Sequence, residues 1–243
     1  MERHDRPVQQ TSVRRAAVPQ RTPFIVVGIV LIACAAGLGG WIFFRGDPPF
    51  AIDVWWDRTL AAWHSHFMTT VSYVMNFLGA GWFGVFVVPI VVAVILLILR
   101  RPWAAAYFVA ASVASAGVVQ ILKHTFGRAR PEDIIVLSDF GSYPSGHVAN
   151  AATIAVALIL IFPSIWTVIA GVIWVLLMAF SRTYLHAHWL SDTLGGAMVG
   201  AGVALLLAGV FLSLMAREPR PRRADAVAPA GDGSSRSPAR ARD

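Results

Sequence analysis

The chain has 243 residues, of which 57% are hydrophobic and only 14% are charged. A soluble domain carries roughly 25% charged residues, so this composition argues against a soluble protein and favours a membrane protein with several spans. The net charge of +7 does not indicate nucleic-acid binding, because the basic residues lie mainly in the tails and at helix ends without a recognition pattern, and the single cysteine, Cys34, excludes an intrachain disulfide.

Six apolar segments predict six transmembrane helices in an all-α, polytopic membrane protein. Their approximate ranges are 24–44, 82–99, 103–122, 146–162, 165–181 and 193–215. The Arg-rich segment 1–23 and the segment 216–243, rich in Pro, Ala, Gly, Ser and Arg, predict two disordered tails around a membrane domain at 24–215. The first apolar run is too long for the apolar region of a cleavable signal peptide, so we expect it to remain as a span.

A stripe of apolar residues marks the long connection at 45–81. Trp56, Leu60, Trp63 and Phe67 recur at helical spacing, which predicts one apolar face of a helix. Tryptophan favours the headgroup layer, so we predict an outward-facing amphipathic helix that lies along the membrane surface. Packing of this helix against the bundle is the alternative that the pattern leaves open.

The distribution of basic residues predicts the orientation. With six spans, both tails lie on one side together with Arg100 and Arg101, and this side then holds fourteen of the twenty Lys and Arg residues. The side richer in basic residues is cytoplasmic, so we expect cytoplasmic termini. The opposite, extracytoplasmic side holds Arg45, Arg58, Lys123, Arg128, Arg130 and Arg182.

Three polar clusters lie at the outward ends of predicted spans, where costly ionisable side chains indicate function. Lys123 and Arg130 are seven residues apart, which fits one helical face, and Arg182 opens the last outward loop. Each cation alone fits a membrane anchor, but three together would bind an anion with several charges, such as phosphate. Between them, Pro144-Ser145-Gly146-His147 opens the fourth span, where serine caps the helix and glycine lets the backbone approach a ligand.

The histidines add acid–base and nucleophilic chemistry. His147 is a candidate proton donor for a leaving oxygen. His188 and Asp192 are four residues apart, so one helical face would carry both, and the carboxylate would orient the imidazole for attack. His186 also fits the site, but the residue four positions on is Leu190, which cannot orient it. Zinc is the rival chemistry; because three nearby cations would repel a divalent ion, we expect no metal.

At these residues the chain resembles the type 2 phosphatidic acid phosphatase (PAP2) superfamily. The motifs K-x6-R-P, P-S-G-H and S-R-x5-H-x3-D match in order at Lys123–Pro131, Pro144–His147 and Ser181–Asp192, and the resemblance covers roughly 45–215. It implies a lipid phosphatase that needs no metal or other cofactor. It also implies roles: His188 forms a phosphohistidine, Asp192 orients it, His147 protonates the leaving oxygen, and the phosphate is bound by Lys123, Arg130, Ser145, Gly146 and Arg182.

The resemblance leaves the lipid open. It implies a polyprenyl diphosphate, phosphatidylglycerol phosphate, or phosphatidic acid and diacylglycerol pyrophosphate. We favour a bacterial polyprenyl-diphosphate phosphatase in the cell membrane with its site on the extracytoplasmic face. Two other functions fit the same residues: a phosphotransferase that passes the phosphoryl group to an alcohol, and a transporter that binds a lipid phosphate without cleaving it. Arg128 and His186 fall at variable motif positions and receive no role.

Overall fold

The computed structural model describes residues 20–218, and within this range there is no β-strand. The chain forms eight α-helices and one π-helical turn in that range. Their bounds are α1 Thr22–Phe44, α2 Ala51–Ala62, α3 His66–Gly79, the π-helical turn Phe83–Val87, α4 Val88–Ile98, α5 Pro102–Phe126, α6 Gly146–Ile161, α7 Ile165–Tyr184 and α8 Leu190–Met215. The predicted disordered tails lie almost wholly in residues 1–19 and 219–243, outside the described residues.

The all-helical membrane architecture is confirmed. Four helices, α1, α5, α7 and α8, are long and apolar enough to cross a membrane. A fifth crossing results if α3 and the segment Phe83–Ile98, which meet at a bend of 48°, form one span. Helix α6 has 16 residues, fewer than the roughly 20 of a typical span, and its length of about 24 Å is less than the roughly 30 Å of the hydrocarbon core. The count of six spans stays a prediction.

The connection at 45–81 differs from the single helix that its apolar stripe predicts. Two helices, α2 and α3, occupy it, and Phe67 belongs to the second of them. The reason is a local cap: the Ser65 hydroxyl accepts the backbone N–H of Met68 at 3.2 Å, which starts a new helix at His66.

Helix α2 packs against the bundle rather than presenting one continuous stripe. Leu60 is buried, and the Trp56 indole N–H donates to the Thr183 hydroxyl of α7 at 3.0 Å. Trp63, where α2 ends, is exposed instead. The position of α2 relative to a membrane surface stays a prediction.

Helix α8 lies at the centre of the bundle, against α1, α5 and α6. Its glycines permit close approach: a Cβ atom at Gly28 of α1 would lie 2.7 Å from the Gly202 carbonyl oxygen of α8, and one at Gly200 would meet the Ala149 carbonyl oxygen of α6. Small residues at such contacts are typical of membrane helices. The close α6–α8 contact brings the beginnings of these two helices together.

The three polar clusters meet at one end of the bundle. Short connections make α6, α7 and α8 run in alternate directions, so the beginnings of α6 and α8 adjoin the end of α7. The end of α5 reaches the same place, because Lys123 Nζ donates to the Gly141 carbonyl at 2.6 Å just before α6. The fold thus gathers four helix ends around the predicted site.

Candidate active site

The end of helix α5 positions the first cation. Lys123 lies in the last turn, and the helix stops because Gly127 adopts the left-handed conformation with φ +58°. The chain then folds back, so Lys123 and Arg130 do not share a helical face, contrary to what their spacing suggests. They meet instead through the segment 139–141, where both donate to the Gly141 carbonyl, at 2.6 and 2.8 Å.

Both of these cations also bind one carboxylate that the sequence analysis did not select. Asp139 Oδ1 accepts from Lys123 Nζ at 3.2 Å and from Arg130 at 2.8 Å. Burial acts to raise the pKa of Asp139, but the charge of Lys123, its hydrogen bond to the carboxylate and the charge of Arg130 outweigh it and hold the pKa below its usual value. The carboxylate is therefore charged at neutral pH.

The buried imidazole of His188 has a defined tautomer. Nδ1 lies 2.7 Å from the Ser142 carbonyl oxygen, which can only accept, so Nδ1 carries the proton. The lone pair is then on Nε2, which lies 3.3 Å from the Arg130 guanidinium. Burial, followed by the charges of Arg130, Arg182 and Lys123, holds the pKa of His188 well below its usual value. A neutral imidazole whose unprotonated Nε2 accepts from Arg130 follows from this setting.

Asp192 does not orient His188 in the way that the four-residue spacing predicts. His188 precedes helix α8, so the two residues do not share a helical face, and Asp192 Oδ2 lies 3.8 Å from Nδ1. The carboxylate instead caps α8 by accepting the Trp189 backbone N–H at 2.8 Å, and it also accepts the Ser142 hydroxyl. Asp192 is therefore linked to His188 through Ser142, whose hydroxyl donates to Asp192 and whose carbonyl accepts from the ring.

A second buried cation, Arg128, explains why Asp192 is not free for the histidine. Arg128 binds Asp192 Oδ1 at 2.6 Å and Asp53 Oδ2 of helix α2 at 3.0 Å, and the three side chains are fully buried. Asp53 further accepts the Ser191 backbone N–H at 2.8 Å. Sequence reasoning missed this network; the one available signal was Asp53, an acid that interrupts the apolar stripe of α2.

The end of helix α3 contacts the remaining site residues. The His147 imidazole lies with Nε2 3.1 Å from the Asn76 backbone carbonyl, to which it donates. The Arg182 guanidinium donates to the Asn76 side-chain oxygen. Asn76 was not expected from the sequence, because an asparagine in an apolar helix carries no specific signal of its own.

One cavity of ≈ 470 Å³ brings most of the predicted site residues together. Its wall includes Lys123, Gly146, His147, Arg182 and His188, together with Asp139. Arg130 is not among the residues that line the cavity, but it contacts Nε2 of His188, which is.

Three of the remaining candidates lie away from the cavity wall. Ser145 and Asp192 are fully buried, and neither is among the residues that line the cavity. His186 pairs with Asp57 of helix α2 at 2.7 Å. The ambiguity between the two neighbouring histidines is thus resolved: His188, and not His186, faces the cavity.

The comparison with known families agrees with this geometry. Residues 102–216 match the model described as PAP2 superfamily. These residues form a PAP2 domain. They contain all three motifs that carry the resemblance seen in the sequence.

Relatives with this domain have names that describe phosphatases. An undecaprenyl-diphosphatase from Sulfolobus acidocaldarius is 40% identical over 65 residues, which are 27% of this chain and 31% of the relative. A lipid A 1-phosphatase from Rhizobium johnstonii is 33% identical over 121 residues, 45% of this chain and 48% of the relative. The matches thus span less than half the length of these two PAP2 relatives.

A solved structure shares the fold over a larger part of the chain. The crystal structure of a transmembrane PAP2-type phosphatidylglycerolphosphate phosphatase from Bacillus subtilis superposes with a TM-score of 0.61. The two chains are 21% identical, and the match covers 79% of this chain and 95% of that one. At this identity the likeness establishes a common fold.

Proposed function

We propose that this protein is a membrane lipid phosphatase that works through a phosphohistidine on His188. The observation that carries the proposal is the orientation of that ring: Nδ1–H is held by the Ser142 carbonyl at 2.7 Å, and the Nε2 lone pair lies beside Arg130 at 3.3 Å. A neutral nucleophile next to a guanidinium suits attack on a phosphoryl group, whose charge the cation stabilises. Lys123 and Arg182 on the same cavity wall supply further positive charge.

The proposed reaction has two steps. In the first, His188 Nε2 forms a bond to phosphorus, the bond from phosphorus to the lipid-side oxygen breaks, and protonated His147 gives its proton to that oxygen. In the second, neutral His147 takes a proton from water, the water oxygen bonds to phosphorus, and the phosphorus–nitrogen bond breaks. Inorganic phosphate leaves, and His188 returns to its neutral form.

The remaining site residues stabilise charge and hold the nucleophile. Lys123, Arg130 and Arg182, with the backbone at Ser145 and Gly146, bind the phosphoryl oxygens, whose charge grows in the transition state. Asp192 acts as a positioning residue: its carboxylate holds the Ser142 hydroxyl, and the Ser142 carbonyl holds His188. None of these steps requires a metal ion.

The favoured substrate is a polyprenyl diphosphate, with phosphatidylglycerol phosphate and phosphatidic acid as alternatives that share its terminal phosphate. The name of the Sulfolobus relative supports this choice. The cavity wall also continues along α5 from Lys123 to Ser112, about 16 Å at the rise of a helix, through Val119, Ala116 and Ser115. Apart from Gln120, this stretch of the wall consists of small or apolar residues, which suits a lipid chain. The excess of arginine on the other side supports an extracytoplasmic site in a bacterial cell membrane.

The experiment is phosphate release from purified lipids in detergent with EDTA present. A polyprenyl diphosphate, phosphatidylglycerol phosphate and phosphatidic acid are assayed in parallel, and we expect the fastest release from the polyprenyl diphosphate. His188→Ala should abolish release, because no other described side chain offers a free imidazole nitrogen beside Arg130. Acid-quenched enzyme should carry phosphate on histidine during turnover.

The matched control is His186→Ala, two residues away and bonded to Asp57. It should retain activity within a few-fold of the unmodified protein. Full phosphate release by His188→Ala would reject the mechanism. Addition of an acceptor lipid alcohol tests for phosphotransfer, and vesicles with radiolabelled lipid test for transport with the phosphate intact.

A further inference from the structure

The proposed reaction does not explain one acidic side chain of the site, Asp139. It lies in the connection between α5 and α6, and its Oδ1 accepts from Lys123 Nζ at 3.2 Å and from Arg130 at 2.8 Å. These are two of the cations that bind phosphate in the proposed reaction. One carboxylate oxygen therefore lies between two positive groups, where a phosphoryl oxygen of the substrate has to bind.

The surrounding backbone reinforces this contact. The Asp139 carbonyl accepts from Arg130 at 3.0 Å, and the Gly141 carbonyl accepts from both cations. Leu137, Ser138 and Asp139 also form part of the cavity wall. The segment 137–141 thus supplies hydrogen-bond acceptors to both cations.

The Asp139 side chain is nevertheless free to leave. It is 56% exposed, whereas the Lys123 and Arg130 side chains are 2% and 13% exposed. Its displacement would cost little packing, while the two cations would stay fixed. The contact has the features of an exchangeable ion pair at a site built for another anion.

We propose that Asp139 is a specificity-determining residue: its carboxylate occupies the phosphate-binding cations until a terminal phosphate displaces it. This inference rests on the proposed function. A dianionic terminal phosphate gains more from Lys123, Arg130 and Arg182 than a monoanionic carboxylate does, because Coulomb energy scales with charge. A phosphodiester headgroup carries one negative charge and competes with a tethered carboxylate at high effective concentration.

The consequence concerns the lipids among which the protein lies. Phosphodiester headgroups are the most abundant phosphates of a bilayer, and without Asp139 they would compete for the same cations. Asp139 keeps these headgroups out and admits terminal phosphates. It therefore sets which lipid phosphates reach His188, without taking part in the bond changes.

The test compares Asp139→Asn with Asp133→Asn, which makes the same charge change in the same connection. Asp133 is exposed and takes part in none of the ion pairs found in residues 20–218. Binding of inorganic phosphate is measured by inhibition of lipid hydrolysis and by thermal stabilisation, which needs no turnover. We expect Asp139→Asn to bind phosphate about tenfold tighter, because the asparagine at this position no longer competes for the two cations. This factor corresponds to an Asp139 carboxylate that occupies the cations about ten times as often as it leaves them. Asp133→Asn should bind it as the unmodified protein does.

A second arm tests selectivity. Phosphatidylglycerol added to the micelles should inhibit Asp139→Asn more strongly than the unmodified protein. Unchanged phosphate binding in Asp139→Asn, or the same tightening in Asp133→Asn, would overturn the inference. Asp139→Ser repeats both arms if the asparagine variant does not fold. Failure of every variant to hydrolyse lipid would reject the proposed function, whereas unchanged phosphate binding in an active Asp139→Asn enzyme rejects this inference alone.

Discussion

Two kinds of cation come from the same short segment, residues 123–130, and their surroundings differ. Arg128 is fully buried between Asp53 and Asp192, which are themselves fully buried. Lys123 and Arg130 share one acid, Asp139, whose side chain is 56% exposed. A cation matched by buried acids belongs to the framework, whereas cations matched by an exposed acid can exchange it for a ligand. The distinction depends on the partner and not on the cation.

The largest expected effect follows from removing the framework cation. Arg128→Met leaves two buried carboxylates without a counter-charge, so we expect the free energy of unfolding to fall by about 3–5 kcal/mol. Chemical unfolding in detergent measures this change. The control is Arg58→Met on the exposed side of α2, which should change stability by less than about 0.5 kcal/mol. Equal stability of the two variants would show that the Arg128 ion pairs do not hold the fold together.

The second prediction concerns Arg130, one of the two cations that share the exposed Asp139. Arg130→Met should lower the rate of lipid hydrolysis by about 10²–10³-fold, the usual cost of removing one group that stabilises transition-state charge. Its stability should change by no more than about 1 kcal/mol, because its carboxylate partner is exposed to solvent. Steady-state kinetics and unfolding of the same preparation give both numbers. A large loss of stability with little loss of rate would reverse the proposed roles of Arg128 and Arg130.

A double-mutant cycle sharpens the first prediction. If Arg128 mainly neutralises Asp53, the variant with both Arg128→Met and Asp53→Asn should be more stable than the sum of the single changes predicts. We expect a coupling of about 1–3 kcal/mol, typical of residues in one buried network. The same cycle with Asp57→Asn, whose described partner is His186, is the control and should be additive.

The smallest effect is a shift in pH dependence. Because the pKa of His188 lies well below its usual value, the nucleophile stays neutral at pH 6.5 and the acidic limb of kcat/KM should lie below that pH. The charge of Arg130 is one cause of the lowered pKa, so Arg130→Gln should raise it. The acidic limb of the residual activity should then move to higher pH. A limb that stays in place, or moves to lower pH, would contradict the contact between Arg130 and His188.

Residue chemistry and spacing were sufficient to predict an all-helical membrane protein and to select five of the residues that line the cavity. A membrane-spanning helix can be predicted from its apolar composition. Ionisable groups are costly at the ends of such helices, which indicates Lys123, His147 and His188 as functional candidates. The order of the three motifs predicted that they lie on one side of the membrane, because successive helices run in alternate directions. These features depend on short stretches of chain, so the sequence carries them directly.

The tertiary structure alone decided which acid serves which cation. Asp192 was expected beside His188, yet Arg128, Ser142 and the helix cap take its oxygens, and a backbone carbonyl holds the histidine. Asp53 meets Arg128 from 75 residues away, and Asp139 meets Lys123 only because the chain reverses after Gly127. The sequence shows which residues are charged. The direction of a backbone carbonyl and the neighbours of a buried charge are set only when segments distant in sequence pack together.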